Sequence, residues 1–175
     1  MKDTVGRKVV RTKAIDEAET ERLVEAYSDM ILRLSFTYLK STQDAEDICQ
    51  TVFLKLLASG KSFDSPEHEK AWIVRTAINA CKDELRAFRR KAVALDSLAK
   101  TAAPPAPTSD TLDAVMALPQ KYREAVYLFY YEGYSIREIA KLLHRSEAAV
   151  SAHLSRGRKQ LYDKILGGET NEQQA

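Results

Sequence analysis

Residues 133–161 decide the fold of this chain, and they read GYSIREIAKLLHRSEAAVSAHLSRGRKQL. Ser135 and Glu138 have the spacing of a capping box, which predicts that a helix begins at Ile136. After a short turn at His144, Ser146 can cap a second helix. Two helices joined by so short a turn, the second of them basic, are typical of a helix-turn-helix that binds duplex DNA.

Charge and apolar spacing divide this segment into two faces. Between Arg137 and Lys164 the chain carries seven bases and three acids, which favours a polyanionic partner. The second helix turns an apolar face inward, with Val150, Leu154 and Leu161. The residues expected to contact DNA are Arg145, Ser146, Glu147, Ser151, Ala152, Ser155, Arg156, Arg158 and Lys159. Of these, Arg145, Arg158 and Lys159 lie at the edges, where phosphate contact is expected.

Outward from this segment, the chain divides into two helical modules. A proline-rich stretch over residues 96–110 has no apolar periodicity, which predicts an extended linker long enough to let the modules occupy separate places on one partner. It separates a first module at 19–95 from a second at 111–166, in which Pro119 opens a helix that Gly133 ends. We expect the basic segment 1–18 and the tail 167–175 to be disordered. No strand pattern occurs, so the predicted fold class is all-α, with two small helical domains.

The first module contains an amphipathic helix over residues 44–57. Its predicted buried stripe consists of Ala45, Ile48, Cys49, Val52, Phe53, Leu56 and Leu57. Leu54 lies on the opposite face with Asp47, Gln50 and Thr51. An outward leucine beside an acid indicates an interface with another protein.

The next helix, predicted from Glu69 to Lys91, carries a cationic stripe. Its residues are Arg75, Asn79, Lys82, Arg86 and Arg89. They are four, three, four and three positions apart, which places them on one face of a helix. Asp83 and Glu84 lie outside the stripe, so the stripe itself carries no acid. This favours contact with nucleic acid over an ordinary solvent-exposed helix face. Trp72, near a polar loop, could stack on an unpaired base. The opposite side is predicted to bury Ala71, Val74, Ile78, Cys81, Leu85 and Phe88.

Composition excludes several classes of protein. The 175 residues have a mean hydropathy of -0.37 and no long apolar run, which argues against insertion in a membrane. The N-terminus has no signal-peptide pattern, so we expect a cytoplasmic protein. Two cysteines and three scattered histidines do not make a metal site, and no residue pattern calls for a cofactor.

Three segments in this order resemble the extracytoplasmic-function sigma factors of bacterial RNA polymerase. They are DAEDICQTVFLKLL, EKAWIVRTAINACKDELR and the second module from LPQKYREAVYLFYYEG to its end. The resemblance covers about residues 20–165 and implies a promoter-recognition subunit with only the second and fourth sigma domains. It also implies two further partners, core RNA polymerase and an anti-sigma factor.

The resemblance assigns roles to particular positions. Core polymerase would dock on Asp47, Gln50, Thr51 and Leu54. The minus-10 element would be melted and bound by Ser62, Phe63, Trp72, Arg75, Asn79, Lys82, Arg86 and Arg89. The minus-35 element would be read as duplex by the second module. The chain departs from the family at Thr51, where an acid is common, at His144, where a turn glycine is usual, and at Ser151-Ala152-His153, where Lys-Ser-Arg is usual.

Two alternatives remain open from the residues alone. A stand-alone transcriptional regulator would share the evidence from the second module, but it leaves the cationic stripe unexplained. A metal-dependent nuclease could use Asp44, Glu46 and Asp47, but these acids splay around the helix and no histidine accompanies them. We therefore expect no catalytic activity.

Overall fold

The computed structural model describes residues 17–94 and 110–172, and all regular elements in these ranges are helices. The predicted all-α class is confirmed. The helices are α1 (Glu17–Leu39), α2 (Thr42–Ser59), α3 (Pro66–Ala94), α4 (Asp110–Met116), α5 (Gln120–Val126), a π-helix (Tyr127–Tyr131), α6 (Ile136–Leu143) and α7 (Glu147–Glu172). We call α1 to α3 the N-terminal module and the remainder the C-terminal module.

The N-terminal module packs its three helices around one apolar core. Its fully buried side chains include Ile31, Leu34, Val52, Leu56, Ile73, Val74, Ile78 and Cys81. Burial of each large aliphatic side chain contributes about 2 kcal/mol relative to exposure. Both cysteines are buried as predicted, and burial raises the pKa of Cys81 to about 11, so its thiol is protonated at neutral pH.

The C-terminal module brings α5 and α7 into close contact. An ideal Cβ on Gly157 would lie 2.9 Å from Cγ2 of Val126, so only glycine permits this approach without a shift. After Val126 the helix widens into the π-helix, where the N–H of Glu132 donates to the carbonyl of Tyr127 at 3.2 Å. The sequence predicts one uninterrupted helix here. The wider turn instead places the rings of Tyr127 and Tyr131 in a stack with centroids 5.5 Å apart.

Two apolar positions of the predicted core are exposed, Phe88 at 57% and Leu57 at 37%. Four others are only partly buried: Phe53, Ala71, Leu85 and Leu161. Burial along α3 ends near Leu85, so the apolar face of α3 continues beyond the part that its neighbours cover. Periodicity identified the face correctly but could not say how far along it the packing extends.

The predicted boundaries also need correction at the helix ends. α1 begins at Glu17, inside the segment expected to be disordered, and α4 begins at Asp110, the last residue assigned to the linker. α7 continues to Glu172, so residues 167–172 are helical in the structure, whereas the sequence predicted disorder there. The rest of the basic segment, the linker and the last three residues lie outside the described ranges.

The two modules lie against each other. The hydroxyl of Tyr38 on α1 donates to Oε2 of Glu124 on α5 at 2.5 Å, and both side chains are buried. Nζ of Lys70 on α3 lies 2.9 Å from Oε2 of Glu132, which follows the π-helix. The sequence predicted modules able to sit apart, whereas the structure shows a conformation in which they are in contact.

Candidate nucleic-acid and polymerase interfaces

The predicted cationic stripe lies on the surface of α3. Arg75, Asn79, Arg86 and Arg89 are exposed and Lys82 is half-buried. Nη1 of Arg86 lies 2.9 Å from Oδ1 of Asp83, a contact that the sequence did not indicate. Because both side chains are about two-thirds exposed, this pair contributes little, and a phosphate can compete for the arginine.

Trp72 is held beside the loop that precedes α3. Its ring centroid lies 5.9 Å from that of Phe63, and both rings are partly buried. Nζ of Lys61 lies over the Trp72 ring at 5.4 Å, and Ser62 is exposed next to it. Partly exposed rings beside a cation suit the stacking of an unpaired base. Sequence reasoning missed Lys61, although a base two residues before an aromatic side chain was a visible signal.

The expected docking face on α2 is presented to solvent. Leu54 is 60% exposed, Asp47 and Gln50 are exposed, and Thr51 is half-buried. The first turn of α2 is fixed by Ser41, whose Oγ accepts from the N–H of Asp44 at 3.2 Å. Leu57 adds to the exposed apolar area of the same helix. An apolar patch that α1 and α3 leave uncovered is suited to a protein partner.

The helix-turn-helix forms as the sequence predicts. Ser135 and Glu138 complete the capping box of α6, and Oγ of Ser146 accepts from the N–H of Ala149 at 3.1 Å at the start of α7. His144 has φ 54° and ψ 51°, so a histidine does adopt the left-handed turn conformation. Eight of the nine residues expected to contact DNA are exposed: Ser146, Glu147, Ser151, Ala152, Ser155, Arg156, Arg158 and Lys159.

Arg145 differs from the other predicted phosphate contacts because its guanidinium already has partners. Nη2 lies 2.6 Å from Oε1 of the buried Glu124, and Nη1 lies 3.0 Å from Nδ1 of His153. Burial and the neighbouring Arg145 lower the pKa of His153, which favours the neutral ring. Since arginine only donates, Nδ1 of His153 accepts and the ring proton is on Nε2. Contact of Arg145 with DNA stays a prediction.

Comparison with known proteins identifies the family. The model described as "Sigma-70 region 2" matches residues 23–91, and that described as "Sigma-70, region 4" matches residues 110–161. The RNA polymerase sigma factor CarQ of Myxococcus xanthus is 33% identical over 70% of this chain and 75% of its own length. The ECF RNA polymerase sigma factor SigW of Bacillus subtilis is 26% identical over 94% of this chain and 98% of its own length. The chain is an extracytoplasmic-function sigma factor.

The fold is similar to those of two solved structures. The sigma factor RpoE, crystallised with the anti-sigma factor NepR from Bartonella quintana, matches with a TM-score of 0.69 at 21% identity, over 83% of this chain and 95% of that one. CnrH, in complex with the cytosolic domain of CnrY, matches with a TM-score of 0.61 at 20% identity, over 87% of this chain and 90% of that one. These matches cover both modules in order.

Membership of this family gives the sigma factor its function. It is an alternative subunit that binds RNA polymerase and directs it to promoters, and sigma factors in general are not enzymes. The region 2 match accounts for the N-terminal module, which a stand-alone regulator leaves unexplained. Within residues 17–94 and 110–172, no helix has the length and hydropathy of a membrane span, and no cluster of His, Cys, Asp or Glu suits a metal ion.

Glu124 of the sigma factor is a buried polar residue whose role the sequence did not reveal. It is 2% exposed, and its two oxygens contact Arg145 in the helix-turn-helix and Tyr38 in the other module. The available signal was an Arg-Glu pair, Arg123 and Glu124, in an otherwise apolar stretch of α5. Arg123 is buried as well, and its Nη1 donates to the carbonyls of Met116 and Leu118, which joins the end of α4 to α5.

We expect Ser135→Ala to lower the free energy of unfolding of the sigma factor by about 1 kcal/mol at neutral pH, because the N-cap is lost. The carboxylate of Glu138 accepts from the N–H and Oγ of Ser135 at 2.8 and 2.6 Å, and these bonds lower its pKa below the ordinary value of 4.5. The Glu138 carboxylate therefore contributes fully to the stability of the folded state above pH 4.5. This contribution is lost as the pH falls through the folded-state pKa of Glu138.

Denaturant unfolding of the wild type and Ser135→Ala, followed by circular dichroism at neutral pH and well below pH 4.5, measures this difference. The difference in the free energy of unfolding between the wild type and Ser135→Ala should be smaller at the lower pH. Glu138→Gln, which does not titrate, provides the control and should lack this part of the pH dependence. If the difference in the free energy of unfolding is the same at both pH values, the Glu138 carboxylate does not have this role.

Proposed function

We propose that the sigma factor divides promoter recognition between its N-terminal and C-terminal modules. The exposed face of α2 binds core polymerase, α3 with its preceding loop captures the opened minus-10 strand, and α6 with α7 binds the minus-35 duplex. The observation that carries the proposal is the exposure of three separate surfaces: a docking face on α2, a cationic stripe on α3 and a helix-turn-helix formed by α6 and α7.

Binding energy, not covalent chemistry, does the work in this proposal. Contacts of Arg75, Lys82 and Arg86 with phosphates supply affinity, and Trp72 with Phe63 stacks on bases that leave the duplex. Taking a base out of the stack costs a few kcal/mol, and stacking on an aromatic ring returns about 1 to 3 kcal/mol. The protein itself has no catalytic activity, since nucleotide addition belongs to the polymerase.

The remaining partner in the proposal is an anti-sigma factor. The RpoE structure is a complex with an anti-sigma factor, and the present chain shares its fold. We propose that an inhibitor of this kind binds surfaces of both modules and that the sigma factor acts in the cytoplasm, where the polymerase is.

Run-off transcription with purified core polymerase on genomic fragments tests this function. The protein should direct initiation from a limited set of start sites, and core polymerase alone should not use them. If no start site depends on the protein, the proposal is overturned.

Leu54→Glu should weaken the binding of core polymerase on the order of 30-fold. This loss corresponds to about 2 kcal/mol, the size expected for a central interface residue. The change places a charge where 60% of the leucine surface is free to meet a partner. Competition with labelled wild-type protein for core polymerase measures the loss.

Val24→Glu is the matched control, because Val24 is a 42% exposed aliphatic residue on α1, outside the docking face. Circular dichroism should show the same helix content in both variants. If the two variants bind core polymerase with equal affinity, Leu54 does not belong to the docking face.

A further inference from the structure

His153 is a half-buried residue of α7, and its imidazole ring is held on an edge and on a face. Nη1 of Arg145 lies 3.0 Å from Nδ1 of the ring. The buried ring of Tyr122 on α5 packs against the imidazole, with centroids 5.6 Å apart and planes inclined by 57°. A side chain held in this way keeps one orientation, which a precise contact with a ligand requires.

The guanidinium of Arg145 is itself anchored within the C-terminal module. Its Nη2 lies 2.6 Å from Oε1 of Glu124, a carboxylate that is 2% exposed. A guanidinium is planar and presents its donors in a fixed fork, so the pair with Glu124 directs the other nitrogen at His153. Arg145 therefore has fewer donors left for a phosphate than a solvent-exposed arginine has.

The second ring nitrogen of His153, Nε2, carries the proton and is open to solvent. Because Nδ1 accepts from Arg145, the neutral ring is protonated at Nε2. Nε2 has no hydrogen-bond partner within residues 17–94 and 110–172, and it is not one of the buried polar atoms that lack a partner there. Burial and the neighbouring Arg145 lower the pKa of His153, so the neutral ring predominates at pH 7. His153 therefore offers a neutral N–H to a ligand from outside.

Two exposed bases lie close to His153. Nζ of Lys121 lies 5.1 Å from the centroid of the Tyr122 ring, the same ring that packs against the imidazole. Arg156 follows His153 by three positions on α7, which places the two side chains on neighbouring parts of the helix surface. The charged groups that face the imidazole are Lys121, Glu124, Arg145 and Arg156. Since Glu124 is buried and paired, an anion that approaches from solvent meets two cations and a neutral donor.

From this geometry we infer that Lys121, His153 and Arg156 bind one backbone phosphate of duplex DNA, with Nε2 of the histidine as a neutral donor. Arg145 is then a positioning residue, because it fixes the ring nitrogen that carries the proton. The inference rests on the proposed binding of duplex DNA by α6 and α7. His153 lies at the edge of α7, next to the buried Leu154, so it faces the DNA backbone and not the base edges. We call Lys121, His153 and Arg156 the phosphate site.

Replacing His153 by phenylalanine tests the neutral donor. His153→Phe keeps an aromatic ring against Tyr122 but has no N–H, so the affinity for duplex DNA should fall about five- to tenfold. A neutral donor displaces no counterion, so the slope of log affinity against log salt concentration should stay the same. Lys121→Ala and Arg156→Ala should each reduce the magnitude of that slope by about 0.9. His68→Phe, at an exposed position of α3, is the control and should change neither quantity.

Replacing Arg145 by methionine tests the positioning role. Arg145→Met keeps an unbranched apolar stem but removes the donor to Nδ1 of His153. Nitrogen NMR of the free wild type should show the Nε2–H tautomer in the histidine signal that His153→Phe removes, whereas Arg145→Met should show both tautomers. Circular dichroism should give the same helix content for both proteins.

The pH profile of duplex binding provides a second measure of this role. Arg145 lowers the pKa of His153, so the ring of Arg145→Met should gain its second proton at a higher pH. A phosphate favours the protonated ring, so the affinity of Arg145→Met should rise more steeply than that of the wild type between about pH 7.5 and 6. The other two histidines, His68 and His144, are common to both proteins and cancel in this comparison.

The probe is a labelled duplex of about 20 base pairs of mixed sequence, titrated with the full chain at several salt concentrations. Wild-type affinity in His153→Phe would overturn the phosphate site, and a loss of about 0.9 in its salt slope would show a cation in place of the neutral donor. If Arg145→Met keeps the wild-type tautomer and pH profile, Arg145 is not a positioning residue. If the wild type does not bind the duplex at all, the proposed duplex binding fails together with the phosphate site. NMR of the free protein then still decides whether Arg145 fixes the tautomer.

Discussion

Replacing Arg75, Lys82 and Arg86 together by alanine should abolish promoter opening at physiological salt. The three side chains lie on one face of α3 and are, in our proposal, the main contacts with the phosphates of the opened strand. Loss of three phosphate contacts should reduce the slope of log affinity against log salt concentration by about 2 for single-stranded DNA. It should also lower that affinity on the order of a hundredfold. Permanganate footprinting with the holoenzyme would report opening, and salt titrations with a single-stranded oligonucleotide would report the slope.

A matched control removes the same charge elsewhere. Arg137, Lys141 and Lys164 are exposed bases of the C-terminal module, outside the proposed strand site. Their triple alanine variant should retain single-strand binding with an unchanged salt slope. If both triple variants lose single-strand affinity equally, the effect is one of net charge and the assignment to the stripe fails. If the α3 variant still opens promoters, the stripe does not bind the strand.

The second large effect is expected at Glu124. Glu124→Ala leaves the Arg145 guanidinium without its carboxylate and the buried Tyr38 hydroxyl without its acceptor. Because Arg145 can turn toward water, we expect a loss in the free energy of unfolding of about 2 to 3 kcal/mol, less than for a fully buried pair. The C-terminal module should carry the loss, since Glu124 and Arg145 both belong to it.

The single tryptophan of the chain allows this to be measured by module. Fluorescence of Trp72 reports unfolding of the N-terminal module, whereas far-ultraviolet circular dichroism reports both modules. In Glu124→Ala, the dichroism transition should move to lower denaturant more than the fluorescence transition. Asp163→Ala, which removes an exposed acid from α7, should move neither by more than about 0.5 kcal/mol. If both unfolding transitions of Glu124→Ala occur at the same denaturant concentrations as in the wild type, the Glu124 carboxylate does not stabilise the C-terminal module.

Local sequence determined much of the architecture and of the candidate sites. The capping box at Ser135 and the cap at Ser146 were predicted, and the structure confirms both. The exposure of Leu54 and of the α3 stripe was predicted in the same way. These features depend on residues three or four positions apart, so a single stretch of helix contains all the information that they need.

The errors occurred where distant parts of the chain decide the outcome. Phe88 follows the apolar period of α3, yet it is exposed because no other helix within residues 17–94 and 110–172 covers that end. The π-helix at Tyr127–Tyr131 depends on how its aromatic residues pack, and its composition gave no clear signal. Periodicity identifies which side of a helix is apolar, but not what lies against it.

The sequence by itself therefore determined the all-helical class, the caps at Ser135 and Ser146 and the apolar side of each main helix, because each is set by neighbours along the chain. Only the tertiary structure decided that Tyr38 meets Glu124 across 86 positions, that Lys70 pairs with Glu132, and that Arg145 is partnered within the protein. Such pairings follow from how the modules pack, and a buried carboxylate takes whichever donors that packing brings within hydrogen-bond distance.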